Sequence, residues 1–328
     1  MKIVVDTCGG DFPELIIKGI AQALNEIDGI EIVAFGDQDK INQVLGQEEF
    51  DRARLEVVNC TQEICNQDSP VNAIMTKKDS SLVKSYKRLK EDGESVGFIS
   101  AGSTGAVITG ASLLLGRVKG VERPTLLTLL PTLNHKYVCL TDCGANVDCR
   151  ATQLVQFALL GNAFMKSAYN LESPKVALMS VGTEDEKGNA VSKETFELLK
   201  QSGLNFVGNM EGKTLLNGDV DVCVCDGFVG NVALKTVEGA TNSTIKIFAE
   251  YLKKNADANT DFTFVKKAIG QFMGDYDFNK NGCAMIIGAK KPVMKLHGAS
   301  VAGAVVYACN QLKNMTNGGL LDKIEQVI

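Results

Sequence analysis

Two glycine-rich turns, each joining an apolar strand to a helix-forming segment, are the features of this sequence best suited to chemistry. Residues 221–239 read DVCVCDGFVGNVALKTVEG, and residues 100–106 read SAGSTGA. Main-chain N–H groups at a helix start are unpaired and carry the positive end of the helix dipole, and glycine lets a ligand approach the main chain closely. Asp226 and Asn231 are expected at the first of these turns. The pair of turns predicts a ligand with several negative charges.

A third polar loop, GTEDEKGN at residues 182–189, follows the apolar run KVALMSV and contains Lys187 beside three acidic residues. Such a cation can neutralise a bound phosphate or a developing oxyanion. The alternative is a solvated charged loop, since most runs of charge are exposed. Neither glycine-rich turn has the G-x-G-x-x-G spacing of a dinucleotide site, and no Walker A motif occurs. The spacing favours phosphate, or a phosphate-bearing substrate, over a nucleotide.

Carboxylates and a histidine near predicted strand ends give further candidates. Asp6, Asp11, Asp142 and Asp148 could gather a divalent cation, although Asp at strand ends also forms turns and helix N-caps. His297, in KLHGAS, could act as a base, or it could be structural. No Ser-His-Asp or Cys-His spacing indicates a protein nucleophile, and we expect no metal site.

Composition limits the class of protein. The 328 residues carry 34 Lys and Arg against 39 Asp and Glu, a formal charge of −5, so the global basic field of a nucleic-acid binder is absent. No signal pattern or membrane-length apolar run is seen, and we expect a cytoplasmic location. The 10 cysteines lie mostly in apolar runs without a C-x-x-C pair, which indicates reduced, buried thiols.

Strand-like and helical segments alternate, which indicates a largely parallel sheet covered by helices on both faces, in a single domain spanning residues 1–328. A hairpin is expected at residues 126–140, and five polar loops at strand carboxyl ends are expected to share one edge of the sheet. Helices are predicted at residues 13–26, 79–90, 104–115, 150–166, 192–201 and 231–254.

Residues 242–275 are predicted to form a protruding helix pair with a polar break, NADANTD, at residues 255–261. Its second arm places four apolar residues on one face: Phe262, Val265, Ile269 and Phe272. Lysines cluster near the break. This pattern is typical of a dimer or core element, or of a weakly basic anchor at a membrane surface.

The order of the motifs resembles that of the bacterial phosphate acyltransferases of phospholipid synthesis, also called acyl-(acyl-carrier-protein):phosphate transacylases. The resemblance covers residues 2 to about 310 and rests on these segments: DTCGGD, SAGSTGA, LGRVKGVERP, LLPT, DCGANVDC, LVQFA, VGTEDEKGN, NFVGNMEG, CDGFVGNVALKTVEG and HGAS. This sequence departs from the family at two positions. It has AGSTG, with Ser103, where the family usually has AGNTG, and HGAS, with Ala299, where the family usually has HGSS.

The resemblance implies a three-layer α/β/α sandwich with a mostly parallel sheet, similar to the isocitrate dehydrogenase and phosphotransacetylase fold, and a homodimer. It implies that inorganic phosphate attacks an acyl carrier protein thioester directly, without a cofactor, to give acyl phosphate for phospholipid synthesis. It also implies a weak, peripheral contact with the inner face of the membrane and delivery of the product to a membrane glycerol-phosphate acyltransferase.

Combining the loops with the resemblance gives a set of expected site residues. Lys187 and Asn231 are expected at the reacting centre. Phosphate is expected to contact Ser100, Gly102, Ser103, Thr104 and Gly105. Further candidates for the cleft are Asp6, Asp11, Asn146, Asp226 and His297. A short-chain phosphotransacetylase that uses coenzyme A, a decarboxylating dehydrogenase of the related fold, and a non-catalytic phosphate-binding protein remain as alternatives. Six basic residues around the helix at 79–90 are a candidate surface for an acidic carrier.

Overall fold

The computed structural model describes residues 1–256, 261–275 and 283–328, which form one mixed sheet with helices on both faces. The strands are β1 Lys2–Asp6, β2 Glu31–Gly36, β3 Leu55–Asn59, β4 Ser95–Ser100, β5 Thr125–Pro131, β6 Tyr137–Thr141, β7 Lys175–Ser180, β8 Asn205–Glu211, β9 Val222–Val224, β10 Cys283–Ile287 and β11 Val293–Leu296. The helices are α1 Pro13–Glu26, α2 Gln38–Leu45, α3 Pro70–Thr76, α4 Ser81–Glu91, α5 Thr104–Gly110, α6 Ala151–Ala168, α7 Ala190–Lys200, α8 Gly227–Lys254, α9 Thr263–Asp275, α10 Ala302–Asn317 and α11 Leu320–Val327.

The predicted α/β architecture is confirmed. The described strands lie in the order β3-β2-β1-β4-β11-β10-β5-β6-β9-β7-β8, and the pairings outside the β11-β10-β5-β6 segment are parallel. Within that segment the three pairings are antiparallel, and the hairpin predicted at residues 126–140 is the β5-β6 pair. One continuous sheet supports our proposal that residues 1–328 form a single domain.

Each face of the sheet packs against its own hydrophobic cluster because side chains alternate along the strands. In β1, Ile3 and Val5 pack with α1, α6 and α10, whereas Val4 packs on the opposite face with α4 and α5. All three of these side chains are fully buried. Layers of helices on both faces therefore complete the α/β/α sandwich.

The antiparallel segment in the middle of the sheet corrects one expectation. Three reversals of direction separate β11 from β6, so the carboxyl ends of β1, β4 and β11 lie at one edge and those of β6, β7 and β9 at the opposite edge. The expectation that five polar loops share one edge is therefore wrong. The predicted hairpin is itself one of the three reversals.

The predicted helices are confirmed, with changes at their ends. The helix expected from Asn231 begins at Gly227 because the Asp226 carboxylate caps it, accepting from the Val229 N–H at 2.8 Å. The helix at 104–115 is α5 followed by one π-helical turn, Ala111–Leu115. The pair expected at 242–275 corresponds to the end of α8 and to α9, and residues 257–260 of its polar break lie outside the described residues.

Helix α8 packs closely against the main chain of the loop after β6, at two glycines of the helix. A Cβ added at Gly230 would lie 1.9 Å from the Asp142 carbonyl oxygen, and one at Gly227 would lie 2.7 Å from the Asn146 carbonyl oxygen. These distances are shorter than any normal contact. Glycine at both positions is therefore required for α8 to pack where it does.

We expect Gly230→Ala to destabilise the protein by about 1 to 3 kcal/mol, because the added methyl group must displace the main chain of the β6 loop. Gly239→Ala is the matched control in the same helix, since its Cβ would meet nothing within 4 Å. Alanine there should stabilise the helix by about 0.5 to 1 kcal/mol. Chemical denaturation measures both, and equal effects of the two substitutions would contradict the packing argument.

Candidate functional site

Three loops meet at the edge where β1, β4 and β11 end. The loops after β1 and β4 touch main chain to main chain, since a Cβ on Gly9 would lie 2.3 Å from the Gly102 nitrogen. The Asp11 N–H donates to the Gly298 carbonyl at 2.8 Å, which joins the loop after β1 to the loop after β11. The segments DTCGGD, SAGSTGA and HGAS, which are far apart in the chain, form one cluster.

A buried hydrogen-bond chain holds the SAGSTGA loop from below. The Ser100 hydroxyl donates to Asp6 Oδ2 at 2.7 Å and accepts from the Gly102 N–H at 3.0 Å, while the Cys8 N–H donates to Asp6 Oδ1 at 3.1 Å. Burial raises the pKa of Asp6, and these hydrogen bonds oppose the shift. Ser100 is fully buried, so its side chain supports the loop instead of making the phosphate contact that we expected. Asp6, which was expected in the cleft, is also buried, and its carboxyl supports the same loop.

The start of α5 offers unpaired donors. Ser103 is its N-cap residue and makes no side-chain cap, and the Val107 N–H is the first to bond back, to the Ser103 carbonyl at 2.9 Å. The N–H groups of Thr104, Gly105 and Ala106 have no acceptor within the described part of the chain. Together with the π-helical turn the helical segment is three turns long, so these donors lie at the positive end of its dipole.

A cavity of about 150 Å³ lies between α8 and the antiparallel pair β5-β10. Leu126, Thr128 and Ala284 form its floor on the sheet, and residues of α8 form its roof. Its polar lining comes from several elements: Thr104, Asn231, Lys235, Glu238, Lys295 and His297. Asn231 lies next to Gly144 of the β6 loop, whereas Lys235 and Glu238 line the cavity together with Thr104 and His297, so α8 crosses from one edge of the sheet towards the other. The cavity thus joins the open start of α5 to Asn231.

Sequence reasoning missed Lys295, the cation at the end of the cavity nearest α5. It lies in β11 and is only 8% exposed, and its ammonium donates to the carbonyls of Ala101, at 3.5 Å, and Leu296. Burial lowers the pKa of Lys295 to about 8, and the charge of Asp6 opposes the shift. The available signal was the single lysine in the apolar run VMKL, since an unneutralised lysine inside a strand is expensive to bury.

His297 lies at the mouth of the cavity and is exposed. Its Nδ1 accepts from the Ala299 N–H at 3.3 Å. Packing around the ring lowers the pKa of His297, and the Lys235 ammonium adds to this effect. A neutral imidazole at pH 7 is therefore favoured there. Lys235 itself pairs with Glu238 at 2.7 Å.

Asn231 lines the other end of the cavity, one turn inside α8, and a Cβ on Gly144 would lie 3.6 Å from its Oδ1. The donors at the start of α8 give little support to the anion site expected there. The Asp226 carboxylate occupies that position, and the Gly227 N–H already donates to the Asn146 carbonyl at 2.7 Å. The N–H groups of Gly227, Val229 and Gly230 thus already have acceptors, which leaves few donors for a phosphate at this turn.

Asn146 and Asp142 are buried and bonded to each other. The Asn146 amide nitrogen donates to Asp142 Oδ2 and to the Pro124 carbonyl, both at 2.9 Å, while main-chain N–H groups fill the remaining acceptors of the carboxylate. Asn146 shapes the β6 loop and is not in the cavity. In the described residues no three His, Cys, Asp or Glu side chains lie close enough to hold a metal ion.

Lys187 is exposed on the loop after β7 and does not line the cavity that Asn231 lines. Its neighbours Gly188 and Asn189 border a second cavity of about 270 Å³, which also touches Asp226 and Val229 at the start of α8. Lys187 and Asn231 are thus associated with different cavities beside the same helix turn. Asp11 is likewise exposed, beside Gly298.

No described helix is both long enough and apolar enough to cross a bilayer. Solved structures show the same fold: a phosphotransacetylase from Staphylococcus aureus has a TM-score of 0.62 at 17% identity and matches over 97% of this chain and 94% of its own. A phosphotransacetylase from Streptococcus pyogenes also gives 0.62 at 17% identity, over 98% and 94% of the two chains.

Sequence relatives are much closer. The family described as "Fatty acid synthesis protein" matches residues 1–323. The phosphate acyltransferase of Thermoanaerobacter pseudethanolicus is 40% identical over 100% of this chain and 97% of its own length, and that of Clostridium acetobutylicum is 39% identical over 99% and 98%. The chain therefore belongs to the phosphate acyltransferase family of enzymes.

Proposed function

We propose that this enzyme makes acyl phosphate from a fatty acyl-(acyl carrier protein) thioester and inorganic phosphate, as a step of phospholipid synthesis. The observation that carries the proposal is the cavity joining the open start of α5 to Asn231. It offers donors for a phosphate at one end and a side-chain amide for a carbonyl oxygen at the other. The family description, fatty acid synthesis, supports a fatty acyl donor.

The proposed reaction needs no cofactor. An oxygen of hydrogen phosphate attacks the thioester carbonyl carbon, a tetrahedral oxyanion forms, and the carbon–sulfur bond then breaks. The proton of hydrogen phosphate ends on the carrier thiol. Because the thioester is already activated and phosphate is a nucleophile at neutral pH, the protein has to hold the reactants in contact and stabilise the oxyanion.

We propose that Ser103, Thr104 and Gly105 hold the phosphate at the start of α5, and that Gly102, whose N–H already donates to the Ser100 hydroxyl, lets the anion approach the main chain because it has no side chain. Asn231 donates a hydrogen bond to the oxyanion from the roof of the cavity. Lys187 approaches the thioester from the side of the second cavity, whose border includes its neighbour Gly188. His297 lies at the mouth, where a neutral imidazole can contact the leaving thiol.

The six basic residues suggested for carrier binding are partly neutralised. Lys77 pairs with Asp68, Lys84 with Asp79, and Arg88 with both Glu56 and Asp92. Ion pairs of this kind reduce the field that an acidic partner would meet. We therefore do not propose α4 as the carrier surface, and the acyl carrier protein enters our proposal as a substrate without an assigned docking site.

We propose a homodimer formed through α8 and α9. Beyond Gly239, α8 buries no side chain, and Ile247, Phe248 and Tyr251 are 56%, 55% and 66% exposed. Phe264 of α9 is 80% exposed. Adjacent apolar side chains on one helix are typical of a surface covered by another protein chain. In the predicted stripe, Phe262, Val265 and Ile269 are half-buried, so the exposed apolar surface is mainly that of α8.

We further propose a weak contact between the tip of the helix pair and the inner face of the membrane, where a glycerol-phosphate acyltransferase takes up the product. Lys253, Lys254, Lys266 and Lys267 flank the break and are exposed. Each lysine near an anionic surface contributes about 1 kcal/mol of attraction. Four such charges give a reversible association of an otherwise cytoplasmic enzyme.

The substrate is tested by incubating the purified enzyme and phosphate with a palmitoyl thioester of acyl carrier protein, of coenzyme A, or with acetyl coenzyme A. We expect release of the free carrier and formation of acyl phosphate with the carrier thioester. Turnover of acetyl coenzyme A alone would indicate a short-chain phosphotransacetylase instead. Phosphate binding without turnover of any thioester would indicate a binding protein.

Asn231→Ala and Lys187→Ala should each lower kcat by about two to three orders of magnitude, as expected for lost oxyanion donors. Lys193→Ala is the control, because Lys193 is exposed in the neighbouring helix and borders neither cavity. Circular dichroism checks the fold of each variant. Near-normal rates in one folded variant would remove that residue from the mechanism.

The double variant Phe248→Ser, Tyr251→Ser should convert the dimer to monomers in light scattering, because it removes two exposed aromatic side chains from the proposed contact. Glu250→Gln, an exposed polar change in the same turn, should leave the dimer intact. A dimer that persists in the double variant while co-sedimentation with anionic vesicles is lost would assign this surface to the membrane instead.

A further inference from the structure

Lys295 is a buried cation without a carboxylate partner. Residues 293 and 295 of β11 face the side of the sheet that carries α4 and α5, and Lys295 opens into the cavity from this side. The described residues place no Asp or Glu oxygen within 4.0 Å of its ammonium, whose hydrogen bonds go to two main-chain carbonyls. Carbonyl dipoles satisfy donors but do not cancel a full charge.

Asp6, the acid whose charge acts most strongly on Lys295, forms no ion pair with it in the described residues. The Asp6 carboxyl is engaged by the Ser100 hydroxyl and the Cys8 N–H. One hydrogen bond from the Lys295 ammonium goes to the Ala101 carbonyl, in the same loop whose next residues start α5. The ammonium and the unpaired N–H groups of α5 therefore converge on one end of the cavity.

We propose that Lys295 is a catalytic residue that binds the attacking inorganic phosphate. This inference rests on the proposed function and deepens it. The ammonium donates to a phosphate oxygen and cancels part of its charge, while the main-chain donors of Thr104 and Gly105 hold the other oxygens. Lys295 neither gains nor loses a proton during the reaction, since the proton of hydrogen phosphate ends on the carrier thiol.

The burial of Lys295 gives this role a pH dependence. The charged groups around its ammonium come from three elements and their loops: Asp6, Asp11, Lys235, Glu238 and His297. With a pKa of about 8, Lys295 is mostly protonated below this pH and mostly neutral above it. Phosphate affinity should therefore fall as pH rises through about 8, and bound phosphate should in turn raise the pKa of Lys295.

The test is calorimetric titration of the full-length enzyme with inorganic phosphate, without thioester, together with steady-state kinetics. We expect Lys295→Met to weaken phosphate binding about 10- to 100-fold, the range for a lost charge-assisted hydrogen bond, and to raise KM for phosphate more than KM for the thioester. Lys295→Arg should retain more affinity, and its binding should not decline near pH 8, because arginine stays charged.

Lys291→Met is the matched control, since this half-buried lysine precedes the same strand but donates to the Asp92 carbonyl outside the cavity. Unchanged phosphate binding in Lys295→Met would overturn the inference. If that variant does not fold, a wild-type affinity that stays flat through pH 8 overturns it instead. Phosphate binding that depends on Lys295 in an enzyme that turns over no thioester would defeat the proposed function and leave the inference standing.

Discussion

The reversal of strand direction at the centre of the sheet is the constraint on which the rest of the structure depends. If the sheet were wholly parallel, all polar loops would lie at one edge and a substrate would bind in a crevice beyond the strand ends. Here β10 and β5 reverse the direction, so the loops divide between two edges. A substrate that uses both groups of loops must lie across the face of the sheet.

Helix α8 connects the two edges of the sheet. It begins at the edge formed by β6, β7 and β9 and crosses the face towards the other edge, so one helix roofs a cavity with Asn231 at one end and Lys295 at the other. Gly227 and Gly230 allow its first turn to pack directly on the main chain of the β6 loop. Position and chemistry are thus linked, because the same contact that fixes the helix also sets where Asn231 lies.

The two glycine-rich turns look alike in sequence but differ electrostatically. At the start of α8 the protein supplies its own anion, the Asp226 carboxylate, and the helix dipole is satisfied internally. At the start of α5 the N-cap residue Ser103 makes no such bond, and the Asp6 carboxyl belongs to the buried hydrogen-bond chain that supports the loop. The second turn retains three consecutive N–H groups without an acceptor in the described residues, and a buried ammonium lies next to it.

The sequence by itself determined the local features. Short apolar runs predicted the strands, the turn expected at Pro131 predicted the β5-β6 hairpin, and the ordered motifs were sufficient to identify the family. These signals are local in the chain or depend on residue type, so they do not require knowledge of the fold. Asn231 and Thr104, which line the cavity, were also named from the sequence, because glycine-rich turns mark positions where the main chain can approach a ligand.

Only the tertiary structure decided which of these residues meet. Ser100 and Asn146 are polar loop residues in the sequence, but burial and hydrogen bonding make them supports for the loops. Lys187 and Asn231 both follow predicted strands, yet Asn231 lines the cavity beneath α8 whereas Lys187 is exposed and lines neither cavity. Lys295 was not expected at the site. A lysine in an apolar strand indicates a buried charge, but the sequence does not show which groups surround it. The physical reason is that burial and charge pairing arise between segments far apart in the chain, after strand order and direction are fixed.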